Sequence, residues 1–309
     1  MFLGIEIGGT KLQLGVGDGQ RAELAACERL EIDARRGAAG ILDQIQRAAS
    51  GLVQRFPVTR IGIGFGGPVD TAAGRVLISH QVDGWRDFEL VAWCQRTLGL
   101  PAVLGNDCDS AALAETRYGA GVGKQTVFYA TVGTGIGGGF VHRGVLYGAG
   151  RPAAAEIGHL RPGLLANQSG LTVEALASGP GIAESAKRRA GGEVAGSRDL
   201  RERVGGDLDK LTAKVLGQAA ADGNPLAIEV LEQACQVLGW AVAQVITLLA
   251  PDVFVVGGGV SLLGEDLFFA PLRRAVQAYV FPPLADACEI VPAALGEWVV
   301  VHGAIALVA

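Results

Sequence analysis

The sequence predicts an α/β protein of two domains, on three observations. Its 309 residues, half of them hydrophobic and 47 of them glycine, fill two domains of about 150 residues each with a sizeable core. Two glycine-rich turns, Glu6-Ile7-Gly8-Gly9-Thr10-Lys11 and Thr131-Val132-Gly133-Thr134-Gly135-Ile136-Gly137-Gly138-Gly139, each join one apolar strand-like run to another. A third segment, Val253 to Val256 followed by Gly257, Gly258 and Gly259, ends a buried-strand run and opens an amphipathic stretch over 262–279, with Ser261 as the helix N-cap.

The elements follow in order. Strand-like runs at 2–7, 12–17 and 24–30 open a sheet with antiparallel and parallel pairs, and a helix spans about 38–56, where Ile41, Ile45, Ala48, Ala49 and Leu52 recur at helical spacing. A strand over 61–65 delivers the turn Gly66-Gly67-Pro68. A helix over 90–98, a strand ending at Gly105 and an alanine-rich helix over 108–118 complete a first domain, 1–120. The second domain covers 121–299, with a polar, glycine-dotted helical insert at about 183–224 and a long helix at 225–250. A short apolar helix at about 300–309 closes the chain.

The net charge of −5 and the absence of any long Lys/Arg run argue against a nucleic-acid surface. Five scattered cysteines without a Cys-x-x-Cys pair read as reduced thiols in a cytoplasmic protein. The first 17 residues lack the features of a signal peptide, and the apolar run 238–256 contains Gln244, Pro251 and Asp252, which fits a buried helix and strand better than a membrane span.

Glycine lets backbone N–H groups approach an oxyanion. Thr10, Thr131 and Thr134 can add hydroxyl donors and Lys11 a charge, so Gly8, Gly9, Gly133, Gly135 and Gly137 belong to candidate phosphate cradles. Either turn alone reads equally well as a plain β-hairpin. A dinucleotide or Walker loop would open a helix, which neither does. Asp107, between a strand and a helix, is the best-placed carboxylate for proton transfer, and the helix N-terminus should keep it ionised. Asn106-Asp107 also reads as a simple N-cap pair. His159 alone reads as a structural histidine, and Glu174 as a first-turn partner of a helix dipole.

Five ordered segments carry a resemblance: Gly4-Ile5-Glu6-Ile7-Gly8-Gly9-Thr10-Lys11, Gly62-Ile63-Gly64-Phe65-Gly66-Gly67-Pro68-Val69-Asp70, Gly105-Asn106-Asp107, Glu156-Ile157-Gly158-His159 and the Gly257 to Ser261 turn. The order of the two glycine-rich turns and the Gly257 to Ser261 turn matches the phosphate-1, phosphate-2 and adenosine segments of the actin, hexokinase and heat-shock-70 ATPase superfamily. Within it the chain resembles the ROK family of sugar kinases and repressors. The resemblance implies a two-domain ribonuclease-H-like fold with an interdomain cleft, ATP and Mg²⁺ as cofactors, a hexose acceptor, no nucleic-acid or membrane partner, and a homodimer. It makes Asp107 the catalytic base. Gly66, Gly67, Pro68, Asn106, Glu156, His159 and Glu174 become sugar-site residues, and Glu6, in place of the usual aspartate, becomes a water-mediated Mg²⁺ partner.

The chain departs from the family in two places. Most members set three zinc-binding cysteines between the histidine and the glutamate, whereas here those positions are Leu165, Asn167 and Thr172. No structural zinc is then expected, and packing of Leu160, Leu164, Leu165 and Leu171 should hold the loop. The segment Ser79-His80-Gln81-Val82-Asp83-Gly84-Trp85 lacks the family's Pro-Asn pair, so Gln81 should sit in the sugar pocket, deeper than that asparagine. Glucose phosphorylated at its 6-hydroxyl is the first choice of reaction; N-acetylglucosamine, N-acetylmannosamine, mannose and fructose stay open, as does a non-catalytic sugar-binding role. The family's repressors carry a winged-helix module before the first phosphate loop, which here begins at Gly4.

Overall fold

The computed structural model describes residues 1–309 apart from His80, Ala149, Gly150, Pro152, Leu165 and Ser169. Strands β1 (Phe2–Ile7), β2 (Lys11–Gly17) and β3 (Leu24–Glu31) pair antiparallel, and helix α1 (Gly37–Arg55) returns the chain to β4 (Arg60–Phe65), parallel to β1. A small hairpin of β5 (Val69–Asp70) and β6 (Arg75–Val76) and helix α2 (Leu90–Leu98) precede β7 (Ala102–Asn106), parallel to β4. The sheet order is β3-β2-β1-β4-β7, and α3 (Asp107–Tyr118) leaves its last strand.

Strand alternation sorts this sheet into a branched-aliphatic set and a glycine set. Leu3, Ile5, Ile7, Leu12, Leu14, Ile61 and Ile63 share one core with Ile41, Ile45 and Leu52, the apolar stripe of α1. Gly4 lies in register with Gly15 and Gly62. A Cβ at Gly62 would stand 1.7 Å from the carbonyl oxygen of Ala304, so only glycine lets the C-terminal helix seat there.

The remaining elements are β8 (Thr126–Val132), β9 (Ile136–His142), β10 (Val145–Leu146), α4 (Val173–Ala177), α5 (Gly179–Ala190), α6 (Ser197–Arg203), α7 (Ala213–Ala221), α8 (Pro225–Leu249), β11 (Val253–Gly257), α9 (Ala270–Tyr279), β12 (Glu289–Pro292) and α10 (Val299–Ala306). The second sheet runs β10-β9-β8-β11-β12. Helix α8 starts at an Asn224 N-cap and buries Leu226, Val230, Leu231, Leu238 and Val242, so the helix that is long and apolar enough to cross a membrane is mostly buried.

The described residues form two compact units, Met1–Tyr129 with Gly139–Ala155 and Ala293–Ala309, and Ala130–Gly138 with Glu156–Pro292. In this division residues 121–129, 139–155 and 293–299 group with the first unit, where the sequence suggested the second, and the unit boundaries fall within β8 and β9. Helix α10 packs on α3, β1 and β4 within the first unit.

The segment after β11 differs from the continuous helix expected over 262–279. Ser261–Leu263 is a 3₁₀ turn, Gly264 takes a φ of 85°, Glu265–Phe269 is π-helical, and α9 starts only at Ala270. Ser261 is no N-cap; its hydroxyl donates to the carbonyl oxygen of Gly258 at 2.7 Å.

Candidate functional site

Within the first unit, three parallel strands end side by side. Ile7 on β1 is in register with Phe65 on β4, and Phe65 with Asn106 on β7, so the residues that follow, Gly8, Gly66 and Asp107, meet at the carboxyl edge of the sheet. The N–H of Gly66 donates to the Ile7 carbonyl at 2.9 Å. A Cβ at Gly66 would lie 3.5 Å from Asp107 Oδ2 and 3.6 Å from the Gly8 Cα, which measures how closely the Asp107 carboxylate and both turns approach. The first cradle closes through the Gly8 N–H donating to the Lys11 carbonyl at 3.0 Å, leaving Thr10 exposed at its tip.

Asn106, not Asp107, caps α3: its Oδ1 accepts the N–H groups of Cys108 (2.8 Å) and Asp109 (3.2 Å), while its amide donates to the Gly67 carbonyl at 3.2 Å. The amide assigned to sugar therefore also shapes the Gly66-Gly67-Pro68 turn. Asp107 occupies the first helical position. Burial pushes its carboxyl above the ordinary carboxylate range, against the opposing pull of the Cys108 N–H. Desolvation thus opposes the helix N-terminus, which was expected to favour the ionised form.

Glu6 is 6% exposed. Burial raises its carboxyl to about 7, while Lys11 pulls it down and Asp107 adds a smaller push upward. Lys11 Nζ lies 3.1 Å from Glu6 Oε1 and also donates to Gln13 Oε1 at 2.9 Å. The Lys11 ammonium thus already has Glu6 and Gln13 as partners at the cradle. Glu6 Oε2 is buried and takes no hydrogen bond among the described residues, an open acceptor that fits the water shell of a Mg²⁺ ion.

Gln81 is a correction. It is exposed, not deep in a pocket, and its Oε1 stands where a Cβ at Gly9 would come within 1.4 Å. Gln81 covers the first cradle. Four residues on, the segment has returned to the core: Trp85 is fully buried and meets Phe65 and Phe88 edge to face at 5.2 and 5.4 Å.

In the second unit, the second cradle is braced from both sides. The Gly133 N–H donates to Gly135 O at 2.9 Å, and the Gly179 N–H, at the start of α5, donates to Gly133 O at 2.8 Å. The third glycine segment packs against the end of β8: Gly258, at a φ of 89°, would carry a Cβ 2.5 Å from the Val132 carbonyl oxygen, which also accepts the Val260 N–H at 2.9 Å. Thr131, Thr134, Gly137, Gly257 and Gly259 complete these two segments; Thr134 and Gly259 are exposed, and Gly257 is buried at the strand end.

Glu156 precedes, and His159 ends, the 3₁₀ turn Ile157–His159, where the Glu156 carbonyl accepts the His159 N–H at 3.1 Å. His159 is exposed. Glu174, on α4, accepts the Ile136 N–H on Oε2 at 2.8 Å. Leu164 is 99% exposed, so it does not pack the intervening loop as expected, and Leu165 lies outside the described residues. A guanidinium holds the loop: Arg161 donates to the carbonyls of Ala166 and Gln168, both at 3.3 Å. Thr172 caps α4 by accepting the Ala175 N–H at 3.1 Å. Among the described residues, no three His, Cys, Asp or Glu side chains cluster as a metal site.

Sequence reasoning missed Gln13, Arg161 and Glu115. Gln13 is a fully buried polar residue on a strand of leucine and glycine, opposite Glu6, and that break in pattern was its signal. Glu115 is the buried carboxylate of an alanine-rich helix; it accepts the N–H groups of Ala120, Ala294 and Leu295.

The ROK family model matches residues 2–309. Glucokinase from Streptomyces coelicolor is 31% identical over 305 residues, covering 96% of this chain and 94% of its own length. Glucokinase from Halalkalibacterium halodurans is 32% identical over 311 residues, covering 96% and 91%. The crystal structure of a ROK family glucokinase from Streptomyces griseus in complex with glucose and AMPPNP has a TM-score of 0.83 at 33% identity, over 99% of this chain and 98% of that one. Matched along its length by the family and by relatives at this identity, the chain belongs to the ROK family and has its two-domain actin- and hexokinase-like α/β fold.

Proposed function

We propose that the chain is an ATP-dependent hexose kinase that transfers the γ-phosphoryl group of ATP to the 6-hydroxyl of glucose. The observation that carries this reading is the placing of Asp107 beside the Gly66 turn and the first phosphate cradle at one sheet edge. Relatives named as glucokinases, and a glucokinase structure holding glucose and an ATP analogue, support the choice of sugar and donor.

In this reaction the bond from the sugar oxygen to the γ-phosphorus forms as the bond to the β-γ bridging oxygen breaks, and the hydroxyl proton passes to Asp107 Oδ. Burial raises the Asp107 carboxyl, and a raised carboxylate is a stronger base for that proton. The cradles at Gly8, Gly9 and Thr10, and at Thr131, Gly133, Thr134 and Gly135, bind the phosphates, and the Gly257, Gly258 and Gly259 turn takes the adenosine. Gly66, Gly67, Pro68, Asn106, Glu156, His159 and Glu174 bind and orient the hexose. Gln81, over Gly9, serves the cradle and not the sugar. Glu6, through Oε2, would hold the Mg²⁺ of the bound nucleotide through water, and that ion would neutralise phosphate charge. The five free thiols fit a cytoplasmic location. The apolar side chains Leu248, Leu249, Tyr279 and Phe281, exposed around the ends of α8 and α9, fit a homodimer.

An ADP-release assay across glucose, mannose, fructose, N-acetylglucosamine and N-acetylmannosamine tests the reading. Glucose should give the highest kcat/KM. Sugar binding without ADP release from any member of the panel would instead make the chain a non-catalytic sugar-binding protein.

A further inference from the structure

Glu174 is assigned above to the sugar, yet one of its oxygens is already engaged. Oε2 accepts the Ile136 N–H at 2.8 Å, a bond between residues 38 apart in sequence. It also stands where a Cβ at Gly135 would come within 2.6 Å, so this one oxygen lies against the second phosphate cradle. The element that carries it is held at both ends. The Val173 N–H donates to the Leu160 carbonyl at 2.9 Å, directly after His159, and Thr172 caps the helix. At the far end the Ser178 N–H donates to the Glu174 carbonyl at 3.0 Å, and the next N–H, that of Gly179, reaches Gly133 O at 2.8 Å. The cradle is therefore fastened to α4 and the start of α5 at two points, Gly133 and Ile136, and the Ile136 N–H is not available to a phosphate.

We infer that Glu174 is a positioning residue for the second phosphate cradle, one carboxylate oxygen fixing the loop through the Ile136 N–H while the other faces the hexose. The inference rests on the kinase reading for its sugar half only. The two oxygens of one rigid side chain then link sugar binding to the shape of the loop that receives ATP, with no movement required. An acceptor on the Ile136 N–H is what the loop needs; a negative charge there is not, since it faces phosphate. The neutral Glu174→Gln variant keeps an acceptor, whereas Glu174→Ala removes it.

Titration of the sugar-free full-length protein with ADP, together with amide hydrogen exchange of the ligand-free protein, separates the possibilities. Glu174→Ala should weaken ADP binding by about tenfold and raise exchange across 133–138, as expected when a charge-assisted hydrogen bond that orders a loop is lost. Glu174→Gln should hold ADP affinity within about threefold of wild type while raising the glucose KM, because only the charge presented to sugar is lost. Unchanged exchange at 133–138 in the alanine variant overturns the positioning role whatever the substrate. Tighter ADP binding in both variants also overturns it, since the carboxylate would then act only by repelling phosphate. A wild-type protein that orders the loop through Glu174 yet phosphorylates no sugar would leave the positioning role standing and overturn the kinase reading instead.

Discussion

The Glu6 carboxylate and the Lys11 ammonium stand 3.1 Å apart at the first glycine turn, the acid's side chain 8% and the base's 30% exposed. The pair links the strand entering the turn to the strand leaving it. It also decides how the acid titrates, because burial outweighs the attraction of Lys11 and lifts Glu6 from 4.5 to about 7.

Between those values the folded chain binds more protons than the unfolded one. The contribution of Glu6 to stability is therefore full below pH 4.5 and is lost as pH rises through 7, by about 3 kcal/mol. Melting temperatures of wild type and Glu6→Gln between pH 4.5 and 8 should diverge in slope, the variant staying flatter. Parallel curves would remove Glu6 as the titrating group.

Asp107→Asn should lower kcat by roughly 10² or more while leaving glucose affinity nearly intact, the usual scale for a lost general base. The amide preserves the size of the side chain at the head of α3, so a fold change is not expected to contribute. Turnover close to wild type would take Asp107 out of the mechanism.

His159 is exposed at the end of a 3₁₀ turn, so its loss should spare the fold. His159→Ala is expected to raise the glucose KM by about tenfold, in line with one lost hydrogen bond of roughly 1.4 kcal/mol, with the ATP KM and melting temperature unchanged. A large drop in melting temperature with sugar affinity preserved would make His159 a structural residue.

Glu115 ties the end of α3 to the chain entering α10 through the N–H groups of Ala294 and Leu295, both at 3.0 Å, and to Ala120 at 2.8 Å. Glu115→Ala removes the shared acceptor of three part-buried N–H groups and should cost about 1–3 kcal/mol in urea unfolding. Activity measured well below the melting temperature should change far less than stability.

Much of the architecture was legible because it is written in local periodicities. The alternation of Leu3, Ile5 and Ile7 with Gly4 and Glu6 marked β1, the spacing of Ile41, Ile45 and Leu52 marked α1, and the strand-to-helix switch at Asn106-Asp107 marked the edge where a base could stand. Glycine runs marked the cradles, since few other residues allow backbone to come so close. What the sequence could not specify is which polar atom answers which. Lys11 turned to Glu6 and Gln13, and Asp107 rose in pKa because it is desolvated despite its helix. Arg161 ties the loop where Leu164 was expected to pack, and Glu174 found the Ile136 N–H. Each of these pairings depends on distance and dielectric after distant segments have met. The sequence by itself determined the order of strands, turns and helices, because those follow from neighbours a few residues away; the tertiary structure alone decided the partners and protonation of the site.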